Sequence, residues 1–225
     1  TLLSAGALLA LYSLLRAALL FYNRELIGDT AAMTFVEAFY NGFRFDLRLV
    51  VYAVAPLLLA VLSVRAMGAR RAMRLWLTGV ASLTLLLGIT ELDFYREFHQ
   101  RLNSLVFQYF EEDSATVASM LWNGFPVGRY LLAWALSTWL LHKLFCRLDL
   151  LSRPSNLATP AQNKAPAWYW RFSVFFLCLV LAVIAARGHL RQGPPLRWGD
   201  AYTTDSMFAN HLGLNGALTL VDAAE

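Results

Sequence analysis

The chain has 225 residues, of which 58% are hydrophobic and only 15% are charged. Soluble domains run at about 45 to 50% apolar and about 25% charged, so a water-exposed fold of this composition could not cover its surface with polar groups. The absence of a Gly or Pro repeat excludes a collagen-like chain, and 14% aromatic residues exclude disorder. The formal charge is +4, and 17 of the 19 bases are Arg. Most of them sit beside apolar runs, where bases set membrane topology, so no nucleic-acid partner is implied.

A helix needs about 20 largely apolar residues to cross the roughly 30 Å hydrocarbon layer. Five runs approach that length, at about 2–21, 47–64, 73–90, 127–145 and 168–186. The first contains Arg16. It is too long for the apolar part of a signal peptide and has no basic leader. The second contains Pro56 and follows FVEAFYNGFRFDLRLV, so residues 33–46 read as an amphipathic helix in the membrane interface. Residues 98–121 alternate aromatics and acids and read as a second interfacial helix. Arg153 to Pro166, with three prolines, reads as a linker, and Cys146 and Cys178 as packing residues. After the fifth run Pro194 and Pro195 break the helix, and Thr204 or Asp205 is placed to cap a short helix ending near Leu212. The expected fold is an all-α membrane protein. It has five transmembrane helices plus amphipathic interfacial helices over residues 1–190, and an external juxtamembrane linker over 191–225.

Orientation follows from the bases. The link between runs two and three holds Arg65, Arg70, Arg71 and Arg74 with no acid. The link between runs four and five holds Lys143, Arg147, Arg153, Lys164 and Arg171 against Asp149. Both links are expected in the cytoplasm, which puts the N-terminus inside and the C-terminus outside.

Three clusters carry polar chemistry. At 100° per residue Glu37, Asn41, Arg44 and Arg48 fall on one stripe, with Asp46 on the opposite side of the helix. The stripe is either a solvated interfacial face or a clamp for a lipid phosphate, and Asp46 needs a partner in the bundle, with Arg16 and Arg96 the candidates. In ITELDFYREFHQRLN, Asp93 with Arg96 and Glu97 with Arg101 have the spacing of pairs within one helix. His99 beside these acids lacks metal-ligand spacing, and Glu91 and Asp93 have no activated nucleophile near them. Arg187, His189, Arg191 and Arg197 follow the last run on the external side, where either anionic headgroups or the acids Glu111, Glu112 and Asp113 would answer them. The candidate headgroup-binding residues are therefore Arg44, Arg48, Arg96, Arg101, Arg191 and Arg197, and the candidate structural ion pairs involve Asp46, Asp93 and Glu97. No catalytic or metal-binding residue is identified.

The runs FRFDLR at 43–48, ELDFYREFHQRLN at 91–103 and ANHLGLNGALTL at 209–220 resemble the N-terminal membrane domain of the lipoteichoic acid synthase family, phosphoglycerol transferases of the sulfatase and alkaline phosphatase superfamily. The Arg-, Leu- and Ala-rich composition is similar to that of a Gram-negative-type member. The resemblance implies a membrane anchor in the bacterial cytoplasmic (inner) membrane that presents an anionic phospholipid such as phosphatidylglycerol to its own C-terminal catalytic domain beyond residue 225. That domain would hold a divalent metal, usually manganese, and no cofactor is implied in the present segment. Some relatives keep the architecture without catalysis, so a lipid-sensing scaffold that regulates envelope lipids is the alternative expectation.

Overall fold

A computed structural model describes residues 2–152, 168–188 and 196–224. Among these residues every regular element is helical. The expected linker at 153–166, together with His189, Arg191, Pro194 and Pro195, lies outside the described residues.

Five long helices form the body: α1 (Leu2–Tyr22), α2 (Ala32–Ala60), α4 (Arg70–Phe98), α7 (Val127–Leu151) and α8 (Trp168–Arg187). A five-residue helix, α3 (Val64–Gly68), links α2 to α4, and α5 (Leu105–Glu111) and α6 (Ser114–Gly124) lie between α4 and α7. Successive long helices alternate in direction. Arg74 on the first turn of α4 meets Asp149 near the end of α7, whereas Asp93 near the end of α4 meets Tyr130 at the start of α7. In the same way Arg171 of α8 reaches the Leu62 carbonyl just past α2, and the Gly188 carbonyl just past α8 receives Arg44 of α2. Helices α1, α4 and α8 are long and apolar enough to cross a membrane.

The boundaries differ from the sequence reading in instructive ways. The interfacial helix at 33–46 and the crossing at 47–64 are one 29-residue helix that passes through Pro56 and stops at Ala60. It continues because Asn41 and Asp46, which looked like a break in the apolar pattern, are buried and hydrogen-bonded rather than solvated. Helix α4 runs two turns past the expected end and stops at Phe98, where His99 takes φ 52° and closes the helix through its N–H to the Tyr95 carbonyl. The expected single helix at 98–121 is consequently two. Asp113 caps the second of them, accepting from Thr116 N at 3.0 Å, and these bonds hold its carboxyl below the usual range.

An apolar core of Leu8, Leu11, Val50, Ala53, Leu57, Leu77, Ala81 and Phe145 joins α1, α2, α4 and α7. Between apolar helices in lipid the hydrophobic effect contributes little, and close packing with polar contacts holds the helices together. Such contacts recur along α4 and α7: Ser82 Oγ lies 3.0 Å from Thr138 Oγ1, Trp134 Nε1 donates to the Ser82 carbonyl at 3.0 Å, and Thr78 Oγ1 lies 3.0 Å from His142 Nδ1.

Residues 196–224, within the expected juxtamembrane linker, fold back onto the bundle. A short 3-10 turn (Trp198–Ala201) precedes α9 (Met207–Leu212), capped by Ser206, and α10 (Gly216–Asp222), capped by Asn215. Helix α9 packs on α2, α10 on α4, and Leu196, Ala201, Phe208, Leu212 and Leu214 are buried.

Candidate functional site: a buried charge network beneath the C-terminal segment

Four charged side chains meet where α1, α2 and α4 receive the returning segment. Arg16 Nη2 donates to Asp46 Oδ2 at 2.7 Å, and Arg101 Nη1 donates to Glu91 Oε2 at 2.7 Å. All four are buried, and Asp46 is fully inaccessible. Two cations and two anions cancel, which is the condition for leaving charge in a low-dielectric interior.

Backbone carbonyls of the returning segment complete the set. Arg16 Nη1 donates to the Leu214 carbonyl at 2.9 Å and also to the Leu212 carbonyl. Arg101 Nη2 donates to the same Leu214 carbonyl at 2.5 Å. Asn215 works in two directions: its Nδ2 donates to Asp46 Oδ1 at 2.7 Å, while its Oδ1 accepts from Ala217 N and starts α10. Two glycines make the room. A Cβ on Gly42 would lie 2.0 Å from the Arg16 guanidinium, and one on Gly216 would lie 2.2 Å from the Glu91 carboxylate. Tyr12 Oη and Arg101 Nε find no hydrogen-bond partner among the described residues. Both residues line a polar cavity of about 30 Å³ inside the network, large enough to admit water.

A second polar set secures α9. His211 Nδ1 lies 3.0 Å from Tyr95 Oη, and its Nε2 lies 3.1 Å from Tyr202 Oη. Burial, aided by the nearby Arg101, lowers the His211 pKa below its ordinary value, and burial raises that of Tyr202. Asn210 Oδ1 accepts from Thr204 N at 3.0 Å and its Nδ2 donates to Thr204 O at 2.7 Å, so the turn before α9 is closed by its own side chains.

The arginines expected to meet headgroups take different places. Arg101 is 7% exposed and belongs to the buried network. Its expected pairing with Glu97 does not form, because the helix ends at Phe98 and the chain turns Arg101 back toward Glu91 instead. Arg44 and Arg48, half-buried, serve the segment that follows α8: Arg44 Nε donates to the Gly188 carbonyl at 3.0 Å and Arg48 Nη1 to the Leu196 carbonyl at 2.9 Å. Arg48 also lies over the Tyr52 ring, 5.8 Å from its centroid. Arg197 is exposed, with its N–H bonded to Asp200 Oδ2 at 2.7 Å, and Arg191 lies outside the described residues.

The acids are likewise redistributed. Of the two partners considered for Asp46, the structure supplies Arg16. Asp93 does not pair with Arg96 but accepts from two phenols, Tyr22 Oη at 2.5 Å and Tyr130 Oη, and so ties the ends of α1, α4 and α7 together. Arg96, exposed, stands over the Tyr22 ring at 5.8 Å, and Glu97 is exposed.

Sequence reasoning missed the Glu91–Arg101 pair and the role of the two carbonyls. The one available signal was the pair of small residues opposite the charges, Gly42 and Gly216, and nothing in a single sequence says which charge a glycine faces. Among the described residues no group of His, Cys, Asp and Glu is arranged to hold a metal ion. With both carboxylates occupied by guanidinium groups, the network is suited to holding the returning segment against the bundle. Compared with family models, curated proteins and solved structures, the chain finds no match in any of the three.

Proposed function

We propose that this chain is the membrane anchor of a phospholipid headgroup transferase, with five crossings in the bacterial inner membrane, the N-terminus in the cytoplasm and the C-terminus outside. In this reading it presents an anionic lipid such as phosphatidylglycerol to a sulfatase-like, metal-dependent domain that follows residue 225. The observation that carries the reading is the docking of residues 196–224. A segment that merely led away from the last helix would need no contacts, yet Arg16 and Arg101 grip its Leu212 and Leu214 carbonyls and Asn215 binds Asp46. A chain held in this way leaves the bundle at a fixed place and direction, which a transferase needs if its site is to face a headgroup still seated in the bilayer. Basic residues at the opposite end, Arg65, Arg70, Arg71, Arg74 and Arg147, support a cytoplasmic assignment for that end.

A reporter joined after Glu225 tests the orientation: activity outside the cytoplasm is expected, and a cytoplasmic signal overturns it. The chain expressed together with the sequence that follows residue 225 is expected to transfer phosphoglycerol from phosphatidylglycerol in a metal-dependent reaction. Retention of the anionic lipid without transfer would replace the transferase with the lipid-sensing scaffold.

A further inference from the structure

Helices α1 and α7 both pack on α4 and leave a cleft between them. It measures about 520 Å³ and is lined by Leu14 and Ala18 of α1, Leu85 of α4, and Ser137, Leu140 and Leu144 of α7. Among the described residues Ser137 is the single polar one on its walls. Leu14 is 67% exposed and Leu140 59%, and no residue of α5, α6 or α8 lines the cleft. Its walls lie in the middle of α1 and α4, two helices long and apolar enough to cross a membrane.

The end toward Tyr22 is closed. Tyr22 is one turn beyond Ala18, Asp93 two turns beyond Leu85 and Tyr130 two turns before Ser137, so the Tyr22–Asp93–Tyr130 bridge spans the three walls above the cleft. Both Asp93 oxygens are engaged by phenols; Arg96, on α4, stands over the Tyr22 ring, Arg129 precedes Tyr130 on α7 and Arg24 lies just past Tyr22, all three exposed. Helical rise places Arg96 about 16 Å above Leu85 and Arg129 about 12 Å above Ser137. One leaflet of hydrocarbon is roughly 15 Å deep, half of the roughly 30 Å layer. The cleft therefore sits one acyl-chain length below a pair of arginines, open to the side and shut at the top.

We propose that the cleft between α1 and α7 holds one acyl chain of an anionic phospholipid whose phosphate is met by Arg96 and Arg129. The proposal rests on the lipid reading above and moves the headgroup away from Arg44 and Arg48, which are committed to the Gly188 and Leu196 carbonyls. The chain enters sideways from the leaflet, its tail replaces bulk lipid against Leu14, Leu140 and Leu144, and its phosphate stays above the tyrosine roof, near the end where residues 196–224 are docked.

The unaltered chain in vesicles of phosphatidylglycerol bearing a photoreactive group near the acyl terminus tests this directly. Helix α8, with no buried residue, reports ordinary contact with surrounding lipid. Labelling concentrated on the peptides containing Leu14–Ala18 and Ser137–Leu144 over those of α8 is expected, and labelling no denser there than on α8 overturns the proposal. Arg96→Ala with Arg129→Ala, which removes both charged contacts, is expected to lower the cleft labelling at least about tenfold, and Ser137→Phe to lower it by filling the space. The milder Ser137→Leu serves if the Phe variant fails to fold. Loss on Arg44→Ala with Arg48→Ala, but not on the Arg96 and Arg129 pair, overturns the cleft while leaving the lipid reading standing. A cleft occupied by a second copy, seen as cross-linking between Leu140 positions without lipid label, overturns it as well.

Discussion

The two ends of the helix bundle each carry an arginine–carboxylate cluster of nearly the same geometry, and they differ in almost everything else. At one end Arg70 and Arg74 meet Asp149 at 3.0 and 2.7 Å, with the Arg70 side chain 38% exposed. At the other, Arg16 meets Asp46 and Arg101 meets Glu91, both at 2.7 Å, with every side chain no more than 7% exposed. Distance alone does not rank them. The Asp149 cluster is partly reached by water, with the Arg74 side chain 24% and Asp149 14% exposed, so its loss costs less. The buried network is barely exposed, and removing one member strands a charge. The network also ties together parts of the chain 196 and 198 residues apart, through Arg16 to Leu212 and Leu214, whereas the contacts of Asp149 with Arg70 and Arg74 join the ends of two neighbouring helices.

The largest expected effect that sharpens this contrast comes from Asp46→Ala, which leaves Arg16 without its counter-ion and Asn215 Nδ2 without its acceptor. It should destabilise the folded chain by about 3 to 5 kcal/mol and expose residues 196–224 to protease. Thermal unfolding in detergent together with limited proteolysis checks both. The paired change Arg16→Met with Asp46→Leu should cost less than the two single changes added together, and simple additivity would mean that the two groups do not act as a unit.

Smaller, but on the same network, Gly42→Ala places a methyl group on the Arg16 guanidinium and Gly216→Ala places one on the Glu91 carboxylate. Each should cost about 1 to 3 kcal/mol, read as a lowered melting temperature. Gly79→Ala on α4, where a Cβ meets nothing within 4 Å, is the matched control and should change little.

Acidification probes the docked segment by another route. The folded His211 has a depressed pKa, so below the ordinary imidazole value of 6.5 the unfolded chain takes up a proton that the folded chain resists. The stability that His211 contributes is complete above about pH 6.5 and is lost as pH falls toward its folded pKa. His211→Gln should flatten the dependence of melting temperature on pH over that interval. An unchanged slope would place the titrating group elsewhere.

The smallest effect belongs to the opposite end. Asp149→Asn should cost at most about 1 kcal/mol and become smaller still in high salt. A loss matching that of Asp46→Ala would erase the distinction between the two clusters.

The helices themselves were legible in the residue order because each follows from local composition. Leu2–Tyr22 and Trp168–Arg187 are apolar runs of membrane length, each with a single Arg inside it, and their observed ends lie within a residue of the expected ones. The reading faltered where a polar residue had two possible fates. Asn41, Arg44 and Arg48 read as the polar stripe of an interfacial helix lying ahead of the second crossing, with Asp46 opposite, yet they lie inside one continuous helix, and a segment more than 140 residues later supplies their partners. Spacing along one helix paired Glu97 with Arg101 and Asp93 with Arg96, but the left-handed His99 ends the helix before Arg101, and Asp93, still inside it, is taken by the phenols of Tyr22 and Tyr130 instead.

Composition and periodicity alone therefore determined that the chain is helical and which stretches avoid water, since both depend on neighbours within a few turns. Tertiary structure alone decided which charge neutralises which and that residues 196–224 sit on the bundle. A buried ion finds its counter-ion through space, and the glycines that admit it carry no side chain to announce the meeting.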